Sequence, residues 1–270
     1  MRKHFITYGN EFFEGAKARI VREAKSTGEF DVIKAYGPKD VSDEVRSLAL
    51  FSARRGGGYW CWKPDIMVQE LHTMEIGDIL VYVDSGCELV PGRGWNRYWR
   101  LLEEKDLIAQ RIYQVNEKWT RHTIVEEFSD NPKGWLKGCQ FLCGIVIVKK
   151  SSDSLAFFDE WRAYMIQRPD MVCDVKPEEM AGESPMFIEN RHDQAIFTAL
   201  VYRYMRKGFI ACRWENVENQ SVLISQVIRA MRNRTGDPIP FARRMREIAL
   251  RLGKDSILKP YYIVRMLLQG

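Results

Sequence analysis

Short apolar runs alternate with stretches of helical period along the first two thirds of the chain. His4 to Gly9 and Phe30 to Tyr36 read as strands, the second closed by Gly37-Pro38. Between them, residues 11–26 bring Phe12, Phe13, Ala16, Ile20 and Ala24 near one helical face. Residues 42–53 open on Ser42 with acids in the first turn, the signature of a capped helix. Pro64 marks the expected start of a helix over 64–74. Ile79-Leu80-Val81-Tyr82-Val83 is a continuous apolar strand that ends on Asp84-Ser85-Gly86. Residues 111–115 and 144–150 predict further strands, and 154–167 and 191–207 strong helices, the last stopped by Gly208. Strands alternating with helices imply an α/β fold whose mainly parallel central sheet is flanked by helices.

Three stretches carry candidate chemistry. In an open α/β sheet ligands bind beyond the carboxyl ends of the strands, where Asp84 stands. A carboxylate there can hold a divalent cation against a diphosphate; it can also simply cap the following turn. In "ARRGGGYWCWKP" (53–64) three glycines permit close backbone approach. Arg54, Arg55 and Lys63 add cationic donors there, and Tyr59, Trp60 and Trp62 add flat faces. It lacks the GK[ST] of a P-loop, and a glycine-rich surface loop with inward aromatics is the other reading. In "ENRHDQAIF" (189–197), His192 and Asp193 open a helix. Asp193 there serves as a general base or an acceptor anchor, or else only complements the helix dipole.

Length and composition add bounds. The chain has 270 residues, 46% hydrophobic and 29% charged, enough for a full α/β core and ordinary for a globular protein. No apolar run is long enough to span a bilayer, and the first residues lack the apolar core of a signal peptide, so a cytoplasmic location is expected. The six cysteines form no CxxC pair and are expected to be reduced, structural thiols. The net charge of +5 is concentrated at the end: from Ser221 onward ten basic residues face three acids. That tail is expected to be helical. With Val227, Ile228, Met231, Phe241, Met245, Ile248, Ala249 and Leu252 between its arginines, it could rest on an anionic membrane surface or pack on its own domain.

In order and rough spacing, "FITYGN", "RGGGYWCWKP", "GDILVYVDSGC", "CGIVIVKK" and "RHDQAIF" resemble GT-A-type nucleotide-sugar glycosyltransferases of bacterial polysaccharide loci and large DNA viruses. The resemblance covers roughly residues 4 to 213. It implies a GT-A catalytic domain over 1–213, its nucleotide-sugar half at about 1–110 and its acceptor half at about 111–213, followed by a basic helical extension over 214–270. It also implies transfer of a sugar from a nucleotide-diphosphate donor to a glycan or lipid-linked hydroxyl. Thr7, Tyr8, Gly9, Arg55, Gly57, Tyr59, Trp62, Lys63 and Asp84 would bind the donor, and His192, Asp193 and Gln194 the acceptor. Mn2+ or Mg2+ would sit at Asp84, although Tyr82 stands where an Asp-x-Asp motif has its first acid. Asp193 would be the base of an inverting reaction or would position the acceptor in a retaining one. Two rivals remain. One is a sugar-nucleotide-binding pseudoenzyme. The other is a non-catalytic nucleic-acid binder using the basic tail with Trp95, Tyr98 and Trp99 as stacking platforms; the acid at Asp84 argues against a nucleic-acid partner.

Overall fold

The computed structural model describes residues 1–214, 217, 226–240, 242, 245, 246, 249 and 250. Seven strands form one sheet: β1 (Lys3–Tyr8), β2 (Val32–Tyr36), β3 (Ile79–Val83), β5 (Leu107–Val115), β6 (Cys139–Phe141), β7 (Ile145–Lys149) and β8 (Ile210–Trp214). The order is β2-β1-β3-β7-β5-β6, with β8 also paired to β5. β4 (Glu88–Leu89) and β9 (Ile228–Arg229) make a small second sheet. The seven-stranded sheet is mainly parallel in direction, because only β6 and β7 run against the other strands.

The central strand shows why the apolar run folds as it does. All five residues of β3 are buried, and alternate side chains serve opposite faces. Leu80 and Tyr82 join one core; Ile79, Val81 and Val83 join the other. The first core is covered by α2 (Trp62–Thr73), α4 (Ser152–Gln167) and α5 (Asp193–Tyr204), the second by α1 (Glu14–Thr27) and α3 (Trp95–Glu104). The edge strand β2 is only partly buried and carries Lys34, a charge that discourages pairing with another chain.

Several boundaries differ from expectation. The first helix begins at Glu14 after a 3-10 turn, which leaves Phe12 74% exposed instead of buried. The helix expected over 42–53 is one turn, Asp43–Arg46, followed by a 3-10 turn over Ala49–Ser52; Ser42 does cap it, accepting from the Val45 amide at 3.4 Å. α2 starts two residues before Pro64, at Trp62. Helix α3 had no counterpart in the sequence reading. Its Trp95 and Tyr98 are buried and Trp99 is stacked on Trp95 at 5.7 Å, so the first two offer no stacking surface to a nucleic acid.

The tail also needs correction where it is described. Residues 226–234 form no helix, and β9 within them pairs with β4. Val227, Ile228 and Met231 are buried against the body, so they cannot belong to a membrane-facing stripe. Helical residues occur at 242, 245, 246, 249 and 250; the rest of the expected tail helix lies outside the described residues. Among the described residues no helix is long and apolar enough to cross a membrane.

One buried arginine ties this segment down. Arg19 on α1 is 1% exposed. It donates to the carbonyls of Ser85 and Cys87, which follow Asp84, and to those of Asn233 and Thr235. Asn233 itself donates its amide to the Gly86 carbonyl at 2.8 Å. Arg19→Met removes these bonds together with the ion pair to Glu23, so it is expected to cost about 3–5 kcal/mol, the usual loss on removing one partner of a buried ion pair, and to expose residues 226–240 to protease. Urea unfolding with limited proteolysis checks both; an unchanged cleavage pattern would show that the strap is held elsewhere.

Candidate functional site

β1 and β3 are parallel neighbours, and the chain leaves β1 for β2 on one side and returns to β3 on the other. Strand order therefore reverses between β1 and β3, and the crevice beyond their carboxyl ends is where such sheets bind ligands. Tyr8 ends one strand there and Asp84 follows the other.

Three segments far apart in sequence meet at this edge. The Lys63 ammonium, on the first turn of α2, lies 2.8 Å from Asp193 Oδ2 and 3.6 Å from Asp84 Oδ1. The Lys63 and Asp193 side chains are only 3% and 6% exposed, whereas Asp84 is 42% exposed. Burial alone would lower the Lys63 pKa, but Asp193 and then Asp84 outweigh it and hold the amine charged. The Tyr82 hydroxyl, two residues back on the same face of β3, donates to Asp84 Oδ1. Cys143 Sγ completes the group, 3.2 Å from Asp193 Oδ2 and 3.8 Å from the Lys63 ammonium. Burial, then the charge of Asp193, raises the Cys143 thiol, so it stays protonated. Loss of water pushes the Asp84 carboxyl up, against the pull of Lys63 and Tyr82. Gly144 makes room for Asp84: a Cβ there would sit 2.6 Å from its Oδ2.

The helix carrying Lys63 is fixed by two buried acids. Asp65 accepts from the Ser42 amide and hydroxyl and from Arg162. Glu70 accepts from Lys34 and Tyr36 and lies 2.6 Å from His4 Nδ1. Sheet edge and α4 are thus both tied to α2, which sets the Lys63 position.

The glycine stretch is not an open loop. Gly56, Gly57, Gly58, Tyr59 and Trp60 all have positive φ, between 51° and 95°, forming a left-handed turn that feeds α2. Such backbone costs roughly 1–2 kcal/mol at each of Tyr59 and Trp60, an expense usually kept at functional sites. Gly58 must lack a side chain because a Cβ would meet the Phe51 backbone at 2.8 Å. Gly57 alone of the three keeps open space, on the side of Asn10 and Trp62.

The remaining expected residues divide clearly. Tyr8 stacks on Trp62 at 3.6 Å and 15°, both mostly buried, and Trp62 Nε1 donates to the Gly56 carbonyl. Thr7 turns inward, its hydroxyl donating to the Val83 carbonyl at 2.8 Å, so it knits β1 to β3 instead of facing a nucleoside. Gly9 stands at the β1 tip, its amide bonded to Tyr36 and its carbonyl to Lys17. Arg55 does not point into the Asp84 cluster; it pairs with Asp174 at 2.8 Å and Glu189 at 3.0 Å. Tyr59 donates to Asp174 as well. Gln194 donates to Gln140, which donates to Thr120 on the wall of a cavity of about 230 Å³.

His192 sits at φ 50° and ψ −119°, strained for any residue but glycine. Its ring lies against Tyr59 and Trp60, Nδ1 is 2.7 Å from the Val172 carbonyl, and Nε2 is 3.6 Å from Asp174 without a hydrogen bond. Burial lowers its pKa below the ordinary 6.5, over the opposing pull of Val172, Asp193 and Asp174; Arg55 adds to the lowering. The unfolded chain therefore binds this proton more readily, and stability falls as pH drops below about 6.5. His192→Gln is expected to flatten that part of the profile. An identical slope from pH 7 to 5 in both proteins would assign it to other groups.

The expected cation was also tested against the donors present. Asp84 Oδ1 is already engaged by Tyr82 and Lys63. Among the described residues no three His, Cys, Asp or Glu side chains are grouped to hold a metal. An ammonium at 3.6 Å also repels a second cation. Asp84 thus offers one partly exposed carboxylate, and an Mn2+ or Mg2+ there would have to take its other ligands from the substrate's diphosphate and from water. Tyr82, Cys143 and Arg19 are participants that the sequence reading left out. Tyr82 was legible as the residue two before the acid, on the same strand face.

No family model and no curated protein matches this chain. Solved structures with a similar fold include the galactosyltransferase LgtC with donor and acceptor sugar analogues, at 12% identity and TM-score 0.41, covering 88% of this chain and 85% of that one. Mouse xyloside xylosyltransferase 1 gives 12% identity and TM-score 0.40, covering 78% and 85%. A glycosyltransferase involved in the glycosylation of the major capsid of PBCV-1 gives 11% identity and TM-score 0.40, covering 83% and 86%.

Proposed function

We propose that this chain is a glycosyltransferase that moves a sugar from a nucleotide-diphosphate donor to a hydroxyl of a glycan or lipid-linked acceptor at Asp84. The observation that carries the reading is the meeting of Lys63, Asp84 and Asp193 at the β1/β3 switch point. Each belongs to a different stretch of the sequence that resembles this enzyme class.

The roles follow from exposure. Asp84 is the accessible acid, so it meets the substrate; a carboxyl raised by lost hydration suits acceptance of a hydroxyl proton near neutral pH. Lys63 lies beneath it, between Asp84 and Asp193, and offsets the repulsion of the two acids so that Asp84 is held in place. Asp193, buried and bonded to both Lys63 and Cys143, is better suited to hold Lys63 in place than to act as a free base. Tyr8, Gly9, Gly57 and Trp62 border the nucleoside side. His192 and Gln194 lie toward the acceptor side. No step here depends on a resident metal.

Melting temperature against UDP, GDP, dTDP and CMP and their sugars tests the reading. One nucleoside diphosphate is expected to raise it, since a ligand at a hundredfold excess over its dissociation constant adds about 2.7 kcal/mol. The shift should persist in EDTA. A flat panel, with and without manganese, would contradict a sugar-nucleotide site, and a shift seen only with manganese would restore the metal at Asp84.

A further inference from the structure

Away from this cluster, a cavity of about 510 Å³ opens between α3, β5 and β8. It lies on the α3 face of the sheet, with β7 separating β5 from the strand that leads to Asp84. None of its lining residues takes part in the Asp84 cluster. Its volume is that of a small-molecule site, far more than a lone ion needs.

The walls are chemically selective. Arg97, Arg100, Lys105 and Arg213 line it against the single acid Glu104. Lys105 spends one hydrogen bond on the Gly208 carbonyl and Arg213 one on the Cys212 carbonyl. Among the described residues Arg100, Lys105 and Arg213 bridge no carboxylate, so their charge is open to a ligand. Gln110 also lines it, 3% exposed, and among the described residues its Nε2 has no hydrogen-bond partner. A buried amide donor without a partner is unfavourable, and an acceptor oxygen on a ligand would satisfy it. On one side Trp214 stacks on Tyr113 at 4.5 Å and 12°, giving a rigid flat wall. Flat aromatic faces suit the apolar face of a sugar ring, and guanidinium groups suit phosphate or carboxylate oxygens.

We infer that this cavity binds an acidic sugar, a hexose bearing a phosphate or a carboxylate. The anion meets Arg100, Lys105 and Arg213, the ring lies along Trp214, and a hydroxyl accepts from Gln110. The inference does not rest on the role given to Asp84.

Isothermal titration with glucose 6-phosphate and glucuronic acid, against glucose and inorganic phosphate, tests it. At least one acidic sugar is expected to bind about tenfold or more tighter than either glucose or phosphate alone. The exposed change Arg213→Gln and the buried change Gln110→Leu should each weaken it, and Asp84→Asn should leave it unchanged. Three outcomes would overturn the inference: no heat with either acidic sugar, equal affinity for inorganic phosphate, or binding untouched in the Arg213→Gln, Lys105→Gln double variant. A fourth, tighter binding of a single-stranded oligonucleotide than of either sugar, would overturn it in favour of nucleic acid.

Discussion

Lys63→Met is expected to lower stability by about 3–5 kcal/mol, the usual consequence of removing one partner from a buried ion pair. The reason lies in what the methionine would leave behind. Asp193, 6% exposed, would lose the ammonium 2.8 Å away and keep only the Cys143 thiol. Asp84 would lose the charge that opposes its raised pKa, and the two acids would face each other across an apolar side chain. The same account predicts a partial rescue. Lys63→Met with Asp193→Asn removes the uncompensated charge together with its partner, and should recover a large part of the loss. Urea unfolding of the two single variants and the double variant measures the coupling directly. Additive losses would mean that the pair does not interact as its geometry states.

Asp84→Asn is expected to leave the fold intact and to reduce turnover by a factor of about 10²–10⁴, the range that positioned acid–base groups supply. Asparagine keeps the shape and can still meet the Tyr82 hydroxyl, and the side chain is only partly buried, so the structural cost is small. It cannot take up a proton or balance Lys63. Donor affinity should change far less than turnover, because Tyr8, Gly9 and Trp62 are untouched. The measurement is kcat and KM side by side; a rise in KM with kcat unchanged would make Asp84 a binding group alone.

Much of this was legible in the residues. The continuous run of β3 required a strand covered on both faces, and its end on an acid placed Asp84 at the ligand-binding edge. The helical period of residues 154–167 and 191–207 was strong enough to survive folding with small boundary shifts. What was not legible depends on tertiary proximity. Lys63 read as a cationic donor because the sequence shows it beside glycines and tryptophans; only the fold shows it buried between Asp84 and Asp193. Arg55 read the same way, but Asp174 and Glu189, more than a hundred residues on, take its charge. The arginine-rich tail suggested a helix, whereas residues 226–234 form none: Ile228 and Arg229 pair with β4, and Arg19 binds the Asn233 carbonyl. Tyr82 appeared as the loss of an acid, yet its hydroxyl reaches the acid that remains.

In the proposed reaction Asp84, paired with Lys63, works on a sugar nucleotide. Release of nucleoside diphosphate from UDP-, GDP- and dTDP-sugars, with water as the acceptor and EDTA present, tests it most directly. The account predicts release from one donor by the wild type and at least about a hundredfold slower release by Asp84→Asn. No release from any donor, or equal rates in the two proteins, would contradict it.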